Sequence, residues 1–263
     1  MAKENAKPAR LLAGQKTLLS RTMHDVRYDA THDELFVTNP FASAIRVFRG
    51  GADGEEAPIR VIQGPKTRLG GNDRLDVDPV HNEILTVKGS RILVYSREAS
   101  GDAAPLRVIE GPDTKLSGEG TLAVDPVHNV IAVAQDTVRQ DSPERAHILI
   151  FDRLANGNAK PLGMIKGPKT EITRINQLQI YAPGGWLIAA QPGFYDKQEP
   201  EGVFVGIWSI RDNGDVAPRW KLGGPNSVTV KPRGVAIDPK HKEMLVADMR
   251  LNAVLTFYFP EIF

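Results

Sequence analysis

The chain has 263 residues, 41% of them hydrophobic, enough to bury a sizeable core in one large all-β domain or two small ones. Thirty-three Lys plus Arg against thirty-two Asp plus Glu leave a formal charge of +1 with no long single-sign block, which argues against a dedicated nucleic-acid binder. Cysteine is absent, so disulfides, thiolate metal sites and a cysteine nucleophile are excluded.

Taken from its start, Met1-Ala-Lys-Glu-Asn-Ala-Lys-Pro8 lacks an apolar core of signal-peptide length, and no later run has the about eighteen apolar residues of a membrane span. The expectation is a soluble protein without direct membrane insertion, either cytoplasmic or a mature secreted or periplasmic domain whose leader is gone. A motif follows that returns along the chain: Pro8-Ala-Arg-Leu-Leu-Ala-Gly14, Pro58-Ile-Arg-Val-Ile-Gln-Gly-Pro65, Pro105-Leu-Arg-Val-Ile-Glu-Gly-Pro112, Pro161-Leu-Gly-Met-Ile-Lys-Gly-Pro168 and Pro218-Arg-Trp-Lys-Leu-Gly-Gly-Pro225. Its leading prolines stand about 47 to 57 residues apart, within or just above the spacing of propeller blades and solenoid turns.

Each copy is followed by an apolar strand that in four cases ends in Asp and a turn: Val26-Arg-Tyr-Asp29, Leu75-Asp-Val-Asp78, Leu122-Ala-Val-Asp125 and Val235-Ala-Ile-Asp238, with Leu178-Gln-Ile-Tyr181 as the exception. His32, His81, His128 and His241 stand three residues after those aspartates. One per repeat, in equivalent turns, they cannot converge on a single ion, and they read as turn residues. A second strand comes next, exemplified by Glu83-Ile-Leu-Thr-Val87. The third ends near an aromatic, Phe48, Tyr95, Phe151, Trp208 or Phe257, expected to pack between repeats. Gly- and Asp-rich turns then lead to the Pro-containing motif as the fourth strand.

Strands such as Gly234-Val-Ala-Ile-Asp238 followed by Glu243-Met-Leu-Val-Ala-Asp248 resemble NHL-type repeats and, more broadly, the propellers of the regucalcin and gluconolactonase group. The resemblance implies an all-β fold, a single β-propeller over 1–263 built of four-stranded antiparallel blades. Five blades can be placed, at approximately 22–64, 72–111, 119–167, 174–224 and 232–263 plus 8–14; six is the alternative, being commoner in those families. The final unit stops after its third strand, so the N-terminal 8–14 is expected to complete the last blade and close the ring.

Strand direction puts the loops before the first strand and after the second on one face. Asn39, Lys88, Gln135, Gln191 and Asp248 each follow a second strand, and this polar ring is the first candidate for a small-ligand site. Asp25 matches Arg74 of the next repeat and Arg27 matches Asp76, a pattern expected to form a network between blades. Two connecting loops, 136–146 and 192–202, are much longer than the others, and Arg139, Phe194 and Tyr195 are candidates for partner contact.

The reading favoured by these features is a non-enzymatic binding or scaffolding propeller for a protein partner or small ligand, with no cofactor, no catalytic residue and no nucleic acid. The resemblance implies an alternative, a metal-dependent lactonase or hydrolase holding Ca or Zn at the pole, for which Glu119, Asn176 and Asp248 have suitable residue types. A third reading uses Asp25, Asp73 and Glu119 as glycosidase carboxylates.

Overall fold

The computed structural model describes residues 7–21, 23–72, 74–136, 146–194 and 201–263, with Asp136 by its backbone only. Nineteen strands form five antiparallel sheets in chain order, a five-bladed β-propeller, and the only helices among the described residues are single 3-10 turns. Blade one comprises β1 (Val26–Asp29), β2 (Glu34–Asn39), β3 (Ala44–Arg49) and β4 (Arg60–Gln63). Blade two is β5 (Arg74–Asp78), β6 (Glu83–Lys88), β7 (Arg91–Ser96) and β8 (Arg107–Glu110). Blade three is β9 (Glu119–Asp125), β10 (Val130–Asp136), β11 (His147–Asp152) and β12 (Gly163–Ile165); blade four is β13 (Gln177–Tyr181), β14 (Trp186–Pro192), β15 (Val203–Ser209) and β16 (Trp220–Gly223). Blade five has three strands, β17 (Pro232–Asp238), β18 (Glu243–Asp248) and β19 (Ala253–Tyr258). No helix is long and apolar enough to cross a membrane among the described residues.

Apolar side chains occupy both faces of the middle strands because each blade is covered by its neighbours. Four cores result. Phe36, Ile45 and Val47 of blade one pack on Leu75, Leu93 and Tyr95 of blade two. Leu85 and Ile92 pack on Leu122, Ile131 and Leu149; Ala132 and Ile148 on Leu178, Leu187 and Trp208; and Ile188 and Val205 on Val235, Met244 and Val246. Of the aromatics expected between repeats, Tyr95, Phe151 and Trp208 are fully buried in these cores and Phe257 is partly buried against the last of them, whereas Phe48 is fully buried in a cluster of blade one and the N-terminal segment alone.

The hairpin between the first and second strands is held by its aspartate. Oδ1 of Asp78 accepts from the Val80 and His81 N–H groups, and Oδ2 contacts His81 Nδ1 at 2.8 Å; Asp29, Asp125 and Asp238 do the same with His32, His128 and His241. The histidines are parts of the turn.

The Pro-containing motif joins blades as well as ending them. Its glycine, with φ from +90° to +138° across the five copies, opens a 3-10 turn that runs back toward the axis. Three positions further on, Thr67, Thr114 and Thr170, all fully buried, donate to that glycine's carbonyl at 2.6 to 2.7 Å. The first N–H groups of these turns are capped by the following blade: Lys66 N–H by Asp102, Asp113 N–H by Asn158 and Lys169 N–H by Asp215.

One expectation is corrected. The N-terminal copy is docked on blade one as an outer strand would be: Leu12 bridges Gly54, Leu11 N–H donates to Asp53 and Gln15 N–H donates to Glu55. It forms no ladder with β19, whose sheet remains three-stranded. Val254 and Tyr258 of β19 are correspondingly 65% and 71% exposed, while the equivalent Ile45 of β3 is 1% exposed.

Candidate functional site

The polar residues that follow the second strands are placed at equivalent positions, and their side chains face inward to backbone. Asn39 accepts from Ser20 Oγ at 2.8 Å and donates to the Leu18 carbonyl. Gln135 accepts from Ser117 N–H and donates to the Gly89 carbonyl, each at 2.8 Å; Gln191 accepts from Thr173 N–H and donates to the Glu171 and Gly202 carbonyls. Asp248 accepts four backbone N–H groups, from Val230, Lys231, Arg250 and Leu251. Burial works against its charge, but those donors outweigh it and hold the carboxyl below its ordinary range. All four are buried and clasp the loop leading to the first strand of their own blade. Lys88, in blade two, instead pairs with Glu119 at 2.9 Å.

Of the residues suited to a cation, Glu119 carries that Lys88 contact, and Asn176 donates to the Arg233 carbonyl at 2.6 Å and accepts from Arg233 Nη1 at 2.7 Å. A cation shared by Glu119, Asn176 and Asp248 would have to displace these partners. Asp238, His241 and Glu243, on the rim, bring possible donor atoms within 4.8 Å of one another, although His241 Nδ1 is already engaged by Asp238. Among the partner-loop candidates, Arg139 and Tyr195 lie outside the described residues. Phe194 lies against Gly202, where a Cβ would come within 2.6 Å of its ring.

Along the axis, side chains of one inner strand accept from the next. Asp25 accepts from Leu75 N–H, Asp76 from Val124 N–H at 2.9 Å and Gln177 from Val235 N–H at 2.7 Å. Arg27 bridges the first two blades, 3.1 Å from Asp76 and 3.5 Å from Asp25, so the charges at positions 25, 27 and 76 form an inter-blade network, while Arg74 donates across the same junction to the His24 carbonyl at 2.7 Å. Burial pushes the Asp25 and Asp76 carboxyls up, against the pull of Arg27. Asp73 lies outside the described residues.

The feature the repeats did not announce is the fifth junction. Where blades five and one face each other, a cavity of about 770 Å³ replaces a shared core, a size in the ordinary range for small-molecule sites. Leu12, Leu19, Val26, Leu35 and Val37 form its wall on blade one, and Gly234, Ala247 and Met249 its wall on blade five. Asp25, Arg74, Asn176 and Arg233 mark its axial end. Val26 and Met249 are more than half exposed.

One charge on this side of blade one stands out. Arg46 of β3 pairs in register with cavity-lining Val37, and so shares its face of the sheet. It is 6% exposed, its Nε and Nη1 have no hydrogen-bond partner among the described residues, and burial lowers its pKa. The corresponding residues Leu93 and Leu149 are apolar; an arginine in that column was the available sequence signal.

No family model matches the sequence, and no curated protein matches it. Among solved structures, the chain is similar in fold to Kuenenia stuttgartiensis hydrazine synthase, with 12% identity and a TM-score of 0.57 over 88% of this chain. It spans 63% of that chain's length, and at this identity the likeness concerns the fold alone.

Proposed function

We propose that this five-bladed propeller is a binding module, with NHL-like blades as scaffold and the cleft between blades five and one as its site. The observation that carries the reading is the 770 Å³ cavity walled by facing apolar sheet surfaces, where the other four junctions are filled by side chains. The ligand is a small molecule with an apolar body and an anionic end. Apolar walls supply non-directional affinity, and Arg74 and Arg233 outnumber Asp25 at the axial end. The incompletely partnered Arg46 guanidinium adds a reason for a carboxylate or phosphate to bind on this side of blade one.

Titration calorimetry with decanoate and decanol tests both halves of the reading. Decanoate is expected to bind about tenfold or more tightly than decanol, a difference of about 1.4 kcal/mol. Ala247→Trp, which fills the cleft from blade five, is expected to abolish binding of both. Arg46→Met is expected to retain decanol binding and lose the preference for decanoate. Unchanged affinity in Ala247→Trp would place the site elsewhere.

A further inference from the structure

We infer that the outer rim of the junction between blades three and four is a second binding site, a pocket for a free indole-type ring: a flat aromatic body with one N–H donor. It is separate from the cleft between blades five and one and does not depend on it.

In the first two blades the outer end of the junction is filled by a carboxylate and two guanidinium groups. Glu34 takes a bidentate contact from Arg60 of the fourth strand, at 2.7 and 2.8 Å, and another from Arg97 of the next blade; Glu83 is held in the same way by Arg107 and Arg153. Asn82 and Asn129 fasten Arg97 and Arg153 through Nε, at 2.8 and 3.0 Å. Blade three keeps the backbone of this joint and none of its side chains. Val130 starts the second strand and Gly163 the fourth, while Ile210 donates its N–H to the Gly185 carbonyl as Arg97 and Arg153 donate theirs to the Asn82 and Asn129 carbonyls. Glutamate, two arginines and asparagine have become valine, glycine, isoleucine and glycine.

The space they leave is a cavity of about 350 Å³, lined among others by Val130, Ile150, Leu162, Gly163 and Ile210. Val130, Ile150 and Ile210 are buried, so the apolar floor is recessed, and Leu162, 66% exposed, opens it to solvent. The volume is near the lower end for small-molecule sites and suits one ring system.

Blade four indicates which ring. There the same three positions are Trp186, Trp220 and Phe259, which pack in one cluster with the two indoles edge to face at 5.0 Å. The apolar form of the joint is thus completed by an indole carried on the fourth strand. Blade three presents the apolar partners, but Gly163 supplies no ring. Crowding does not demand that glycine: a Cβ there would meet nothing closer than 3.5 Å, and its backbone is not left-handed. The donor follows from the clamps. The Arg97 and Arg153 carbonyls accept from Arg60 and Arg107 at 3.3 and 3.1 Å, whereas their counterpart, the Ile210 carbonyl, accepts from no other group among the described residues. A ring N–H meets it, and a ring without a donor would leave it unpaired.

Fluorine NMR of 5-fluoroindole titrated with the protein tests the site. Saturable binding is expected, with 5-fluorobenzofuran, which replaces the N–H by oxygen, bound about tenfold more weakly. Gly163→Trp, which supplies the ring from within as Trp220 does, should weaken 5-fluoroindole binding at least about tenfold. Val130→Glu/Gly163→Arg/Ile210→Arg, which rebuilds the polar clamp, should do the same, so the test does not hang on the folding of one variant. Decanoate should not displace the ring. Absence of saturable binding, affinity unchanged in a folded filled variant, equal affinity for 5-fluorobenzofuran, or binding only of a blocked Ala-Trp-Ala peptide would overturn the proposal. Displacement by decanoate would also overturn it, by placing the ring in the cleft. If decanoate does not bind and 5-fluoroindole does, the cleft reading fails and this one stands.

Discussion

Glu34 and Glu83 show how a single side chain fastens three strands. Each starts a second strand and receives an arginine from the fourth strand of its own blade and another from the blade that follows, Arg60 with Arg97 and Arg107 with Arg153. Burial works against their charge, but the arginines outweigh it and hold both carboxyls below the ordinary glutamate range. A depressed folded-state pKa contributes stability that is complete above the unfolded value of about 4.3 and is lost as pH falls through the folded value. Asp25 and Asp76, raised by burial, act in the opposite sense, contributing below the unfolded value and losing that contribution as pH rises through the folded one. Glu83→Gln leaves Arg107 and Arg153 without their carboxylate and is expected to cost about 2–3 kcal/mol at neutral pH. Melting curves of wild type and variant should converge as pH drops below the glutamate range; a gap that widened in acid would refute the assignment. The pairing of Glu with Arg across repeats could be read in the sequence by aligning columns. The isolation of Arg46 could not, since it depends on what lies against one sheet face.

At the level of elements, strands and hairpins were legible because their signals are local: β-branched runs, Asp with His three residues later, and Gly-Asp turns. The four clasping side chains at the ends of second strands were legible as a ring but not as clasps, because their partners are backbone groups that only folding brings near. The Gly-Pro-x-Thr turn was similarly hidden. The threonine hydroxyl bonds a carbonyl three residues back, and the turn ends on a left-handed residue, Leu18, Arg68, Lys115, Glu171 or Val228, with φ between 52° and 61°. Val228 is the worst suited of these, being β-branched and 60% exposed. Val228→Asn should stabilise the protein by about 1 kcal/mol, because asparagine tolerates that conformation and no buried contact is lost. A lower midpoint in urea for this variant would show that Val228 packs in a way its exposure does not reveal.

Across the whole molecule, five repeats specify five blades, but the number of repeats does not specify how the first and last meet. Every blade is encoded with two apolar faces, and four junctions use them. At the fifth, blade five presents Gly234 and Ala247 to the large apolar side chains Val26, Leu35 and Val37 of blade one, and space remains between them. Blade one's own cluster there, Val37, Phe48 and Ala52 with Leu12, Leu19 and Leu35, contains nothing from blade five. The propeller is thus both a scaffold and, at one seam, a pair of separable walls. The most direct test is methyl NMR of the wild-type protein during addition of decanoate. Perturbations should centre on Val26, Leu35, Val37 and Met249, on both sides of the seam, leaving Leu122, Ile131 and Leu149 of the second junction in place. Perturbations confined to the loops around Gln135 and Gln191, or none at saturating decanoate, would contradict the account.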